Sequence, residues 1–309
     1  MKKLIEGTTA YAVFSGDKDK GKLSHAYMLY FQDAENMRAA LKIFALKFFG
    51  VTEYDPVGRR ILNESFSDLR IFPEEGKKFA VDGATALLAD SVMMPVEGDR
   101  KLFIISGFNE ASALVQNKLL KTLEEPPEGV YFLLGATSLA PVLDTVQSRV
   151  KTLTIAPFSE EEIFSALERK GSNPLNRQAS ISCNGILGVA ENMINGGWFA
   201  EVYEAAKEIC SANEVGRVGE LAIKYGDVKY KTELLSAVAL NYHRALCDRV
   251  NGRQGEEGAC FETPTLIYAS ESADRACRDL KFNAFFQGLL YDLMLRIIEE
   301  NDKWLKLRG

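Results

Sequence analysis

The sequence lacks an apolar run that could cross a bilayer, since a spanning helix needs about 20 consecutive apolar residues. Its opening, MKKLIEGTTAYAVF, has two lysines, but Glu6 and Thr8 break the apolar stretches and leave no signal-peptide core. Histidine is scarce: His25 and His243 are the two present, too few for a His-rich metal site. The five cysteines (Cys183, Cys210, Cys247, Cys260 and Cys277) are odd in number, widely spaced and free of any CxxC pair. Neither a disulfide framework nor a zinc module is expected from them. Basic excess is missing too. The formal net charge is −6, opposite in sign to that of most stand-alone nucleic-acid binders, so this chain should make few phosphate contacts of its own. These absences together lead us to expect a cytoplasmic protein with no membrane partner.

What is there has globular texture, with 47% hydrophobic and 26% charged residues. A length of 309 residues suits two or three domains. In the first half, apolar runs alternate with helical patterns. Ala26 to Phe31 is an unbroken run, as expected of a strand buried on both faces. Met37, Leu41, Phe44 and Phe48 then mark one face of a helix. Leu69 to Phe72, Leu102 to Ile105, Val130 to Ala136 and Thr152 to Ile155 are further strand candidates. A helix through Leu119, Leu120 and Leu123 should stop at Pro126-Pro127. Strands separated by helices imply a parallel sheet covered on both faces.

After Pro157 the pattern is helical, with no convincing strand. Ser159 followed by Glu160, Glu161 and Glu162 reads as a capped helix start. One apolar stripe runs through Leu234, Leu235, Val238, Ala239, Tyr242, Ala245 and Leu246. Another runs through Phe282, Phe285, Phe286, Leu289, Leu290, Leu293 and Ile297, and its three aromatics are expected in the core. Asn251 to Gly258 is a polar, glycine-rich loop between them, and a softer boundary falls near Gly196-Gly197.

Asn117 to Pro127, NKLLKTLEEPP, resembles the helix after the third strand of AAA+ subunits of bacterial sliding-clamp loaders. SHAY at Ser24 to Tyr27 precedes the first strand as in that family, and SDLRIF at Ser67 to Phe72, KLFIISGFNEA at Lys101 to Ala111 and VYFLLGAT at Val130 to Thr137 resemble its later strands in order and spacing. QSRV at Gln147 to Val150 resembles its Ser-Arg-Cys motif. The resemblance covers about the first half of the chain. It implies an α/β AAA+ domain over residues 1–157, a small helical lid over 158–202 and an all-α collar over 203–309.

Set against that family, the nucleotide machinery is degenerate. A phosphate loop needs glycines to expose backbone N–H groups, a lysine for charge and a Ser/Thr for magnesium. At the corresponding place Phe31, Ala34 and Asn36 replace the glycines, Met37 the lysine and Arg38 the Ser/Thr. Asp33 and Glu35 add negative charge where phosphates would sit. Ser106 and Gly107 stand where the Walker B carboxylates would hold metal and activate water. Glu110 lies three positions further on and is expected to point elsewhere. The second sensor arginine falls at Gly185-Ile186-Leu187-Gly188, which has none. The interval Gly50 to Ser67 holds no cysteine, so the zinc module of many relatives is not expected, and no metal or cofactor is assigned.

Within the resemblance, Arg149 is the residue expected to act, as an arginine finger offered in trans to a neighbour's nucleotide, with Ser148 as its motif partner. The plainer alternative is an arginine held near a helix C-terminus by the helix dipole. Val150 replaces the family's cysteine without touching the arginine. Thr137, at the first sensor position, reads as a polar residue closing a strand. His25 reads as a packed or solvated side chain. Glu124 and Glu125 point in different directions on a helix, which suits capping or a subunit contact better than acid/base work. The resemblance implies gamma/tau-type and delta-type subunits as partners, with the sliding clamp and primer-template DNA met indirectly. An active ATPase of the same fold and a scaffold reusing the fold are the competing readings.

Overall fold

The computed structural model describes residues 1–252, 260–280, 282 and 284–308. The glycine-rich loop expected at Asn251 to Gly258 therefore lies, beyond its first two residues, outside the described residues. Contacts divide the chain into two compact units, Met1–Asn192 and Met193–Gly309.

The first unit opens with α1 (Lys2–Glu6) and α2 (Thr9–Asp19). Then come β1 (Ala26–Tyr30), α3 (Ala34–Phe49), α4 (Pro56–Leu62), β2 (Leu69–Phe72), α5 (Val81–Ser91) and β3 (Lys101–Ile105). A short 3-10 turn at Phe108–Glu110 precedes α6 (Ala113–Glu124), β4 (Val130–Ala136), α7 (Asp144–Gln147) and β5 (Lys151–Thr154). Three helices follow: α8 (Glu160–Glu168), α9 (Asn176–Ser182) and α10 (Leu187–Asn195).

The five strands pair in parallel in the order β2-β3-β4-β1-β5. Ala26 to Leu29 and all five residues of β3 are buried, as strands covered on both faces must be. On one side Phe103 stacks on Phe132 with ring centroids 5.6 Å apart, among Met28, Leu119, Leu123 and Leu134. Local chemistry sets the helix ends. Gly50 closes α3 in the left-handed conformation, at φ 73°. Ser112 caps α6, which stops at Glu124 ahead of Pro126-Pro127. Ser159 and Glu162 form the reciprocal capping box expected at the start of α8.

The strand order places the site. From β1 the chain travels past β4 and β3 to the edge strand β2, whereas from β4 it crosses β1 to reach β5. In open parallel sheets ligands sit outside the carboxyl ends of the strands where the order switches. Here those ends are Tyr30, Ile105 and Ala136 of β1, β3 and β4.

The second unit is helical throughout its described residues. Its helices are α11 (Phe199–Cys210), α12 (Val215–Tyr225), α13 (Lys231–Val250), α14 (Thr263–Leu280) and α15 (Phe286–Arg308). Leu234, Leu235, Val238 and Tyr242 of α13 pack with Leu266 and Ala269 of α14 and with Leu290, Leu293 and Ile297 of α15. The second apolar stripe is corrected at its start: Phe286 is buried, but Phe282 and Phe285 are 85% and 75% exposed. They precede α15, so the helical period that seemed to include them does not apply there. Among the described residues no helix is long and apolar enough to cross a membrane.

Candidate functional site

The loop behind β1 is just Phe31, Gln32 and Asp33 before α3 begins at Ala34. A phosphate-binding loop would wrap an anion at this helix start, where unpaired N–H groups and the helix dipole favour negative charge. The anion already there is Asp33. Its side chain is buried, and its Oδ1 accepts the backbone N–H of Asn36 at 3.1 Å. Its Oδ2 accepts the Asn36 side-chain amide at 2.9 Å and the backbone N–H of Gly188 at 2.8 Å. A phosphate arriving here would meet a carboxylate.

Phe31, Met37 and Arg38 each have a packing or pairing task here. Phe31 is buried and meets Phe158 edge to face, with centroids 6.1 Å apart. Met37 lies over Gly135 of β4, so closely that a Cβ there would come within 2.7 Å of its sulfur. Arg38 donates from Nε to Glu64 at 2.7 Å, from Nη2 to the same carboxylate, and from Nη1 to the Pro73 carbonyl at 2.8 Å. This guanidinium, helped by Lys42, holds the Glu64 carboxyl below its ordinary value. Ala34, Met37 and Arg38 line a shallow cavity of about 200 Å³ together with Ser106, Gly107 and Thr137. Residues expected behind β1, β3 and β4 thus meet at one place, whereas Phe31, Asn36, Ser148 and Arg149 do not line it.

Glu110 is a correction. The chain turns at Gly107, at φ 71°, into the 3-10 turn, and the Glu110 N–H closes it on the Gly107 carbonyl at 2.9 Å. Three positions along, the carboxylate is back beside Gly107 and lines the same cavity instead of pointing elsewhere. Thr137 donates its backbone N–H to the Asn109 side chain at 2.9 Å, which ties the end of β4 to this turn.

Arg149 follows α7 and Ser148. Its Nε and Nη2 each lie 3.2 Å from Glu124 Oε2, and Nη1 donates to the Thr145 carbonyl at 2.9 Å. The Ser148 hydroxyl donates to Thr145 at 3.2 Å and accepts from Arg149 Nη1 at 3.4 Å. Glu124 therefore contacts the candidate finger within this chain. The segment is braced by two glutamines. Gln147 Nε2 donates to the carbonyls of Leu139 and Val142. Buried Gln116 donates to Ala111 and Pro141 and accepts from the Leu143 N–H at 2.9 Å. Sequence reasoning passed over Gln116 and Asn109. Gln116 had a readable signal, because it shares a helical face with Leu119 and Leu123, and a polar residue in an apolar stripe needs buried partners. Asn109 had none.

A five-stranded parallel sheet in this order, with a helix starting directly behind β1, has the open, doubly wound arrangement of α/β nucleotide-binding folds. Residues 7–159 match the family described as DNA polymerase III, delta subunit. Over its α/β half the chain belongs to that clamp-loader family, as a delta-prime-like member. It is 28% identical over 162 residues to the DNA polymerase III subunit delta' of Bacillus subtilis (strain 168), a match covering 50% of this chain and 49% of the relative. The subunit delta' of Haemophilus influenzae is 27% identical over 161 residues, covering 50% and 49%. The subunit tau of Escherichia coli (strain K12) is 32% identical over 156 residues, covering 50% of this chain and 23% of the relative. The chain thus spans about half the length of the delta' relatives it matches.

Proposed function

We propose that this chain is a non-ATPase stator of a DNA polymerase III clamp-loader complex, which helps load the sliding clamp onto primed DNA and offers Arg149 to a neighbouring ATPase subunit. Its partners are gamma/tau-type and delta-type subunits, with the sliding clamp and primer-template DNA as the load, in the cytoplasm. Residues 158–202 act as the lid and 203–309 as the collar. The observation that carries the reading is a contrast within one domain: the phosphate position of α3 is filled by Asp33, while Arg149 stands partly exposed at the end of α7. A guanidinium there retains the charge and planar donor fork that a transferring phosphoryl group needs. The active-ATPase reading is disfavoured by the same contrast, since Met37 and Gly107 can supply neither lysine charge nor a metal-binding carboxylate.

The test is Arg149→Ala in complexes reconstituted with gamma/tau- and delta-type subunits. Clamp-stimulated ATP hydrolysis should fall, by less than the roughly thousandfold that such fingers contribute at a single site, because other sites remain intact. Arg149→Lys should fail nearly as badly, because an ammonium cannot reproduce the planar fork. Unchanged hydrolysis with Arg149→Ala leaves the plainer reading, an arginine held at a helix end.

A further inference from the structure

Asp33 does more than cap its own helix. Its Oδ2 accepts the Gly188 N–H at 2.8 Å across 155 residues of sequence, and Gly188 lies in the first turn of α10. One buried carboxylate therefore sits at two helix starts, α3 and α10, and complements the positive end of each dipole. The approach depends on glycine. A Cβ at position 188 would stand 2.4 Å from Asp33 Oδ1 and 2.8 Å from the Glu35 Cβ. A second link runs beside the first: Phe31 meets Phe158, whose N–H bonds the carbonyl of Gly185, just ahead of α10, at 2.9 Å.

We propose that Asp33 is a built-in stand-in for a bound phosphate, holding the α8–α10 segment on the α/β layer in one fixed arrangement without any ligand. Two helix starts converging on one anion is what a phosphate between them would produce, and here the chain supplies the anion itself. Asp33 is thus a positioning residue. Losing a phosphate-binding loop and losing an arginine at position 188 become one coupled change. The loop gains a carboxylate, and position 188 becomes a residue small enough to present its N–H to it. The contacts stand on geometry alone, whereas reading Asp33 as a stand-in for phosphate rests on the resemblance to relatives with a phosphate loop.

The test uses the full chain and hydrogen exchange resolved to single amides. Asp33→Asn keeps the shape and one acceptor for the Asn36 N–H, but turns an amide N–H₂ toward Gly188, which cannot bond it. Exchange at Gly188 and the first turn of α10 should rise on the order of tenfold or more, a bond-sized loss, while the first turn of α3 stays protected. Asp33→Ala should lower the melting temperature of the first unit by roughly 5 °C or more. Formate, the carboxylate that fits the vacated space, should restore much of that loss, and chloride at equal ionic strength should not. Formate should leave the wild type unmoved. If Asp33→Ala does not fold, the Asp33→Asn exchange pattern decides alone. Unchanged exchange at Gly188 in Asp33→Asn, or formate and chloride acting alike on Asp33→Ala, overturns the proposal and reduces Asp33 to a cap of α3.

Discussion

At the scale of single residues, buried carboxylates organise this protein's loops. Asp68 is fully buried just before β2 and accepts the backbone N–H groups of Val96, Glu97 and Gly98 at 2.5, 2.8 and 2.9 Å. Asp68→Ala would leave three N–H groups without their acceptor. The expected loss is about 3 kcal/mol, since hydrogen bonds to a charged group are worth more than neutral ones but the loop can partly relax to water. Chemical denaturation checks it, and a loss below about 0.5 kcal/mol, the level of an ordinary surface change, contradicts it. Glu124 is the opposite case. Its pair with Arg149 is open to solvent, so Glu124→Ala should change stability by well under 1 kcal/mol. That variant separates the pair's small structural worth from any effect on a partner's hydrolysis. A stability loss of several kcal/mol would show that Arg149 is a structural anchor.

At the scale of elements, the segment between α5 and β3 presents Val92, Met93, Met94 and Val96 to solvent while being pinned from below by Asp68. Arg60 pins it from the side, through Nη contacts of 2.7 Å to both Glu97 oxygens. Those bonds, with a smaller one from Ser67, lower the Glu97 carboxyl from 4.5 to about 2. A carboxyl depressed on folding contributes stability above its unfolded value and loses it as pH falls through the folded one. The pair's contribution should be complete above pH 4.5, then fade as pH falls toward about 2. In Arg60→Ala the Glu97 titration followed by NMR should move back toward 4.5, and a carboxyl still titrating near 2 would assign the shift to another cause. The strands were legible in the sequence because double-sided burial writes itself as unbroken apolar runs, as in Met28 and Leu29 or Ile104 and Ile105. The helices α1 and α2 were not, because the apolar positions there, such as Ile5, Ala10 and Phe14, are sparse and interrupted by small polar residues. Glu110 was misplaced because residue spacing assumes regular structure, and a 3-10 turn after a left-handed glycine reverses the chain within three residues. The departures of Phe31 to Arg38 from a phosphate-loop pattern are visible residue by residue in the sequence. The Asp33–Gly188 contact is not, because no sequence pattern links positions 155 residues apart.

At the scale of the whole molecule, the division into Met1–Asn192 and Met193–Gly309 separates two kinds of core. The first is built on a parallel sheet whose strand pairings are long-range. The second is built from helix neighbours, with α13 carrying Leu235 and Val238 to the centre and α15 carrying Leu290 and Ile297. Each unit exceeds the size below which a single core fails to support a fold unaided. The second unit also leaves large apolar side chains in solvent, among them Ile223, Val250, Phe285 and Leu307. Apolar surface that is contiguous marks sites other chains cover, and the collar proposed for residues 203–309 assigns that role to this unit. The expected outcome of truncation follows from both facts. A chain ending at Asn192 should fold, with a cooperative melt and the wild-type exchange protection at Gly188, because its sheet core and the Asp33 contact lie wholly within it. It should not co-elute with gamma/tau- and delta-type subunits in size-exclusion chromatography, because the apolar helical surface is gone. The chain from Met193 onward should show the reverse, retaining association while lacking Arg149. A truncated first unit that still entered the complex normally would move the assembly surface onto the α/β half, and the collar assignment of residues 203–309 would be wrong.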